Sequence, residues 1–490
     1  MMRYAYSKDF IRLNILALDI HTCEQARLSR DARFDGKFYT AVLTTGIFCR
    51  PICPARPPKP ENVKYYLSAE QAQQQGFTPC KRCFPELAPS HALPSHLNKL
   101  LITFDYHEDN LTSLAEKFNI STRQLHRLFK QHLGISPSEY FQHQRLLLAR
   151  KLIKTTQLSL SDIGFASGFK SIRRFNEAIK QQYGCTPNSL RQRIETPSTK
   201  SIEILLPYRP PFDWSLMLSF FQKRQIIGME HVTSSIYARN ITIDQCTGWL
   251  KVSHHKHKHA LTLQVSLSDY RYLNEVIQRV RKMFDLDADM TLIHDALIKT
   301  PVLAKMVAMS PGLRLPGCWD ILEFSIRAIL GQQVSVKAAT TLAMRIVKQY
   351  GDYNTELAEE IAYSFPSLTV LKHADFNDIG LTQSRKNTLY TWLQFFENNK
   401  EVFNTYQSIE TLEKQLCTLK GIGPWTVNYI AMRGLSDPDA FPSADLGIVK
   451  ALTHQQQKPS NKAILAIAES WRPWRAYAAI YLWHSLAKKD

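Results

Sequence analysis

The chain has 490 residues, 44% hydrophobic and 21% charged, too long for a single core and too ordinary in composition for a fibrous or disordered protein. Lys and Arg outnumber Asp and Glu by 61 to 43, a formal net charge of +18, which favours a polyanionic partner, nucleic acid first. No stretch reaches the roughly 18 apolar residues of a membrane span, and the opening "MMRYAYSKDFIRLNILALDIHTCEQ" breaks its apolar residues with Arg12, Asn14 and Asp19, unlike a secretory leader. Two to four domains in the cytoplasm, with no membrane partner, are expected. There the nine cysteines serve as thiols, metal ligands or reactive groups rather than disulfides.

In chain order the first informative stretch is "TTGIFCRPICPARPPKPENVKYYLSAEQAQQQGFTPCKRC", Thr44 to Cys83. It sets Cys49 and Cys53 as C-x3-C and Cys80 and Cys83 as C-x2-C, two close thiol pairs that suit one tetrahedral Zn(II). The cysteines at 23, 185, 246, 318 and 417 show no such pairing. Spacing alone supports a structural knot holding residues 1–90 together and says nothing of reactivity. Zinc would keep the four sulfurs as electron-rich thiolates, and Arg50, Arg56, Lys59, Lys81 and Arg82 would draw a DNA backbone towards them.

The segment "FYTAVLTTGIFCRPICPARPPKPENVKYYLSAEQAQQQGFTPCKRC" resembles the N-terminal domain of the bacterial Ada adaptive-response proteins. The resemblance implies that Cys49 takes a methyl group irreversibly from a DNA methylphosphotriester, and that Cys53, Cys80 and Cys83 complete the zinc site with it. Methylation would turn a thiolate into a neutral thioether, weaken repulsion from phosphate and raise DNA affinity.

After the Pro/His/Ser stretch "PSHALPSH" the pattern becomes helical. Leu111, Leu114, Ala115 and Phe118 form an apolar stripe, "FNIS" breaks it, and Ser121 is placed to cap "TRQLHRLFKQHLG". In that second helix Leu125, Leu128 and Phe129 would face inward and Arg123, Gln124, Arg127 and Lys130 outward, a helix-turn-helix with a basic reader. A second copy follows the helix "EYFQHQRLLLARKLIKTT": Ile163 and Phe165, the turn "ASGF", then "KSIRRFNEAIKQQYG" with Ile172, Phe175 and Ile179 inward and Lys170, Arg173, Arg174 and Asn176 outside. Either unit alone also fits an ordinary helical hairpin. Within an expected domain over 91–195, residues 97–193, and above all "LSLSDIGFASGFKSIRRFNEAIKQQYGCTPNSLR", resemble the AraC family's DNA-binding domain, which implies sequence-specific reading of operator DNA by both units and action as an activator with RNA polymerase.

"RIETPSTKS" reads as a joint, with 196–201 as linker. "SIEILLPYRPPFDWSLMLSFFQKR" and alternating segments such as "LTLQVSL" suggest a small α+β region over 202–300, followed from about Ser310 by a mostly helical region over 301–490. "SHHKHKHA", between two strand-like segments, fits a solvated hairpin loop better than a metal site. In "LEKQLCTLKGIGPWTVNYIAMRG", Gly421 and Gly423 flank Ile422 in a turn read as too tight for side chains at either glycine, and Pro424 suits the start of a helix. Backbone amides at such a helix-hairpin-helix can hold a DNA phosphate. In "DAFPSADLGIVKAL", Asp445 stands where a helix N-cap belongs, a role compatible with catalysis.

"PPFDWSLMLSFF", "PGLRLPGCWDILEFSIRAILGQQVSV", "LKGIGPWTVNYIAMRG" and "WRPWRAYAAIYLWH" resemble, in order, the bacterial 3-methyladenine DNA glycosylase II family of the helix-hairpin-helix superfamily. That resemblance implies Asp445 as the carboxylate that stabilises the sugar cation or activates water, acting on a nucleotide flipped from alkylated double-stranded DNA. It implies Phe220, Trp425, Tyr429 and Trp483 around a base cleft with broad alkylbase specificity, although an aromatic core explains Trp425 better. Gln333 stands where the family commonly has an apolar wedge, and His484 where a tyrosine is usual. Trp425 replaces the Schiff-base lysine of bifunctional relatives, so strand cutting is not expected. The lack of cysteine after Cys417 argues against a C-terminal iron–sulfur cluster, and no "PCHR" motif for O6-methylguanine reversal occurs.

The expected architecture is therefore multidomain and predominantly α with α+β parts: a small zinc-bound α+β domain, two helix-turn-helix units, a small α+β domain and an all-α helix-hairpin-helix glycosylase domain. One Zn(II), no iron–sulfur cluster and a monomer are expected. A pure transcription activator with a non-catalytic glycosylase-like half, or an enzyme whose zinc knot is only structural, would fit the same residues.

Overall fold

The computed structural model describes residues 20–191 and 201–487, apart from 32–33, 54, 81, 84, 86–87, 89–96, 98–99, 101–103, 105–109, 134, 157, 405–407 and 454–456. Lys81, the "PSHALPSH" stretch and nearly all of the 196–201 linker lie outside the described residues. The chain forms two compact units, residues 1–104 with 120–143 and residues 105–119 with 144–490.

The first unit holds a four-stranded sheet of β1 (Tyr39–Val42), β2 (Ile47–Cys49), β3 (Val63–Tyr66) and β4 (Thr78–Pro79), in the order β3–β1–β2–β4. β1 and β2 make an antiparallel hairpin that pairs Thr40 with Cys49, while β2 and β4 run parallel with Phe48 opposite Pro79. The apolar support is small: Tyr39, Ala41, Phe48, Ala69 and Ala72 in one cluster, Cys23, Ala26 and Phe38 in another. Cores of that size rarely hold a fold without a metal or disulfides. In the same unit the helix Thr122–Leu133 buries Leu125, Phe129 and Leu133 and exposes Arg123, Gln124, Arg127 and Lys130.

The second unit includes the helix Leu111–Lys117, whose N-cap Asn110 accepts from the amides of Thr112 and Ser113. It also contains the helices Leu160–Ala166 and Ile172–Tyr183, the latter burying Phe175, Ala178 and Ile179. Next comes a five-stranded antiparallel sheet of β5 (Ile202–Pro207), β6 (Glu230–Val232), β7 (Ile236–Ile243), β8 (Cys246–His255) and β9 (Ala260–Leu267), in the order β5–β9–β8–β7–β6. "SHHKHKHA" forms the β8–β9 hairpin, but His254 is not simply solvated: its Nε2 lies 2.6 Å from the Tyr208 hydroxyl.

One face of this sheet shares a core with the preceding helices. Leu146, Ala149, Leu152, Ile153, Ile163, Phe175 and Ile179 are continuous with Ile204, Leu206, Leu263 and Val265. Lys151 Nζ donates to the Leu205 carbonyl at 2.7 Å.

Helical structure begins earlier than Ser310. Leu273–Met283 covers the sheet core through Leu273, Val276, Ile277 and Val280, and the helices Met290–Leu297 and Pro301–Met309 place Met290, Ile293, Leu297, Leu303 and Val307 in the core of the helical region. Their i, i+3, i+4 apolar spacing is that of helices packed on one side. Around that core lie the helices Ile321–Leu330, Val336–Tyr350, Gln383–Asn398, Pro424–Gly434, Leu446–Ala451 and Arg475–Ala487. Small sheets amid a helical majority match the multidomain, predominantly α architecture expected from sequence. No described helix is long and apolar enough to cross a membrane.

Candidate metal centre and active site

The parallel pairing of β2 and β4 explains how the cysteines meet. Cys49 ends β2, Cys80 follows β4, and the Cys80 amide donates to the Phe48 carbonyl at 3.0 Å. A turn after each strand returns the second cysteine of each pair. The four sulfurs lie within 4.8 Å of one another. Hydrogen bonding to Cys53 pushes the Cys49 thiol well above its ordinary value, and the same bond pulls Cys53 far down. Four thiols so close cannot all ionise unless a cation compensates them, and an all-sulfur set in two pairs fits one Zn(II).

The sulfurs are not equivalent. Cys80 and Cys83 are buried, whereas Cys49 and Cys53 are partly exposed. Amides of Arg50 and Arg82 donate to Cys83 and Cys80 at 3.3 and 3.4 Å, and the Ala55 amide bonds Cys53. No backbone donor reaches Cys49 Sγ among the described residues. Arg50 is itself buried, its guanidinium paired with Asp35 (Nε to Oδ1 2.8 Å) and donating to the Cys83 carbonyl at 3.3 Å, so it braces the knot. Arg56 and Lys59 remain exposed.

On the Thr122–Leu133 helix Gln124 has a local task. Its Oε1 accepts from the Ser121 amide at 2.8 Å while the Gln124 amide donates to Ser121 Oγ at 3.2 Å, a reciprocal capping box. Arg123 and Arg127 project freely into solvent. Arg174 is exposed, and Arg173 is exposed but engages Glu177 at 2.9 Å.

The second centre forms around Asp445. It caps the helix Leu446–Ala451, its Oδ1 accepting from the amides of Gly447 at 2.8 Å and Ile448 at 3.3 Å. Two indoles also donate to it: Trp483 Nε1 to Oδ1 at 2.8 Å and Trp425 Nε1 to Oδ2 at 3.0 Å. Trp425 is therefore no core residue; it is half-buried because one edge is committed to the carboxylate. Tyr429, one turn along the same helix, stacks on Trp425 at 5.3 Å and 13° and meets Trp483 edge-on at 6.1 Å. A Cβ on Gly447 would lie 2.9 Å from Trp483 Cδ1 and 3.0 Å from Asp445 Oδ1, so only glycine leaves this contact undisturbed.

Phe220 stands apart from that carboxylate shell. Arg224 and Arg433 lie over its ring at 3.7 and 4.7 Å, and Arg433 also donates to the Tyr429 hydroxyl at 2.9 Å. Burial pushes the Tyr429 phenol up, but Arg433 and Arg224 outweigh it and hold it below its ordinary value. Neither arginine emerges from motif reading. The signal available was the i+4 spacing of Tyr429 and Arg433 on one helix.

The hairpin before this helix has Gly421 at φ +89°, where a Cβ would fall 2.1 Å from Thr388 Oγ1. Gly423 differs from the sequence expectation. It is extended and a Cβ there would meet nothing within 4 Å, so no neighbour forbids a side chain. Gln333 is exposed at φ +56°, in the loop between Ile321–Leu330 and Val336–Tyr350. That loop is tied to the hairpin because Gln332 Nε2 donates to the Gly421 carbonyl and to Thr426 Oγ1, each at 2.9 Å. His484 Nε2 lies 3.2 Å from Ser310 Oγ.

The second unit, in which Asp445 caps one helix and the glycine hairpin precedes another, has the fold of the helix-hairpin-helix glycosylases. A 3-methyladenine DNA glycosylase from Archaeoglobus fulgidus superposes with a TM-score of 0.51 at 21% identity, over 57% of this chain and 97% of that one. Family descriptions match three segments: metal binding domain of Ada over residues 22–86, helix-turn-helix domain over 114–193 and AlkA N-terminal domain over 203–320. DNA-3-methyladenine glycosylase 2 of Escherichia coli is 31% identical over 57% of this chain and 96% of its own length. The probable bifunctional transcriptional activator/DNA repair enzyme AlkA of Mycobacterium tuberculosis is 36% identical over 96% of this chain and 97% of its own. The chain belongs to this family, in which an Ada-type metal-binding domain, a helix-turn-helix region and an AlkA-type glycosylase region are fused in one polypeptide.

Proposed function

We propose that the protein excises alkylated bases from double-stranded DNA and also senses DNA methylation damage, switching on transcription of repair genes. The carrying observation for excision is the carboxylate of Asp445 held by two indole N–H groups and two helix amides, one edge of an aromatic cluster. So fixed, it faces positive charge on a sugar without reorganising. As the C1′–N bond breaks, both electrons leave with the base, and a 3-methyladenine or 7-methylguanine cation departs neutral. Asp445 stabilises the sugar cation, and water adds at C1′ with loss of a proton to Asp445 or solvent. Alkylated bases are good leaving groups, so an aromatic wall of Trp425, Tyr429 and Trp483 suffices to receive the flipped base. The place of Gly423 at the N-cap of Pro424–Gly434, with no neighbour over it, supports phosphate binding at the hairpin, and exposed Gln333 supports wedging into the gap left by the flipped base.

In the first unit Cys49, the sulfur without an amide donor among the described residues, is the methyl acceptor. Its Sγ attacks the methyl carbon of the phosphotriester, the C–O bond breaks, and its electrons remain on the phosphate as a diester anion. Zn(II) held by Cys49, Cys53, Cys80 and Cys83 supplies the charge that keeps the sulfurs as thiolates. Loss of one negative charge then strengthens DNA binding, with Arg123, Arg127, Arg173 and Arg174 as the exposed reading side chains. The protein acts as a cytoplasmic monomer that engages RNA polymerase once methylated.

Release of free base from methylated duplex tests the excision reading. Asp445→Asn is expected to lower single-turnover release about a thousandfold without strand cutting in either sample. Unimpaired release by the variant refutes it.

A further inference from the structure

Arg433 is buried, yet among the described residues no carboxylate lies within ion-pair distance of it or of Arg224. Two other buried arginines in the same unit do have one, Arg239 meeting Glu323 at 2.7 Å and Arg475 meeting Asp439 at 2.8 Å, whereas Arg314 is, like Arg433, held by carbonyls. Arg433 is satisfied by neutral oxygens, donating to the carbonyls of Pro316 at 2.9 Å and Gly317 at 3.1 Å and to the Tyr429 hydroxyl. Hydrogen bonds to neutral groups stabilise a guanidinium without cancelling its charge. Its field in so dry a place is therefore felt by the neighbouring aromatic wall.

The charges are ordered. Arg433 lies over Phe220, Phe324 and Tyr429 at 4.7, 4.8 and 5.6 Å, and Arg224 lies over Phe220 at 3.7 Å. The indoles that meet Tyr429 hold Asp445. Tyr429 is the shared member, with uncompensated cations on one set of its contacts and the carboxylate beyond the other.

We propose that Arg433, supported by Arg224, is an electrostatic positioning residue: with Asp445 it sets a field across the aromatic wall that draws the electrons of the breaking C1′–N bond onto the base and leaves positive charge on the sugar. This deepens the excision reading and rests on it. The balance favours the reaction because the base loses one positive charge while the sugar gains it. A cationic alkylbase is held less tightly before the bond breaks and is relieved of the repulsion as it leaves. The aromatic wall is thus tuned against the charged ground state, beyond simple cation–π attraction.

The test uses the full zinc-loaded protein and two readouts. Single-turnover release of 7-methylguanine should fall about 10- to 100-fold in Arg433→Gln. Binding to duplex carrying uncleavable 2′-fluoro-arabino 7-methylguanine should tighten about three- to tenfold, while binding to the matching duplex with neutral 2′-fluoro-arabino hypoxanthine stays within twofold. Arg433→Lys, which keeps the charge, should bind both duplexes like wild type. Equal weakening on both duplexes, unchanged release, or a lysine variant that matches glutamine would overturn the proposal. If Arg433→Gln does not fold, Arg224→Gln must show the same direction of split, and its absence there overturns the proposal equally. Failure of wild type to release any base would instead refute the excision reading.

Discussion

Cys49, Cys53, Cys80 and Cys83 come from one short run of chain and converge through a single pair of parallel strands, whereas the groups around Asp445 come from the helices Pro424–Gly434, Leu446–Ala451 and Arg475–Ala487. The sulfur site sits on a small apolar cluster and needs a cation to hold it together. The carboxylate site sits on a large helical core and needs only packing and hydrogen bonds. Local ligand geometry can be written in spacing, while a preorganised carboxylate must be assembled by the whole fold.

The sharpest way to break that comparison is to remove the metal or one buried sulfur. Chelation, or Cys80→Ala, should abolish methyl transfer and unfold the small sheet, read by zinc content and proteolysis, while base release stays within about twofold. Concerted loss of both activities would show that the sites are not independently supported.

Gly447→Ala probes the opposite dependence. The new methyl group would push Trp483 from Asp445, so release should fall about 10- to 100-fold with near-normal melting. Normal release would mean that the indole contact does not position the carboxylate.

The hairpin glycines should separate. Gly421→Ala meets Thr388 and a left-handed backbone and should cost about 1–3 kcal/mol in denaturant unfolding. Gly423→Ala should change stability by less than about 0.5 kcal/mol, since nothing opposes its Cβ.

A pH-dependent effect should come from Asp285, a partly buried carboxyl pushed up to about 7 by desolvation against the pull of Arg314 and the hydroxyl of Tyr477. An unfolded Asp titrates near ~4, so between that value and about 7 the folded state holds the extra proton. The stabilisation is complete below the unfolded value and is lost as pH rises through the folded one. Wild type should be about 1–3 kcal/mol less stable at pH 8 than at pH 5, and Asp285→Asn should flatten that slope. A wild-type stability that rises over this interval would contradict the assignment.

Sequence made the two sites unequally legible. Cysteine spacing pointed to a metal knot, and an Asp before "LGIVKAL" pointed to an N-cap, because both are local regularities. The readings of Trp425 as core and of Gly423 as sterically constrained failed for a different reason. An indole's exposed edge is decided by Asp445, 20 residues away, and crowding at a glycine by whichever helix passes it. Gln124 looked like a reader because it faces outward, yet Ser121 claims its side-chain oxygen. Arg433 was visible only through its i+4 spacing from Tyr429, since its other partners are carbonyls more than a hundred residues earlier.

The most direct test is a two-by-two comparison on duplex carrying both a methylphosphotriester and 7-methylguanine, using wild type, Cys49→Ser, Asp445→Asn and the double variant. Two separately supported chemistries predict that Cys49→Ser loses only methyl transfer, Asp445→Asn only base release, and the double variant both. Loss of both activities in either single variant, or base release by Asp445→Asn at the wild-type rate, would contradict the account.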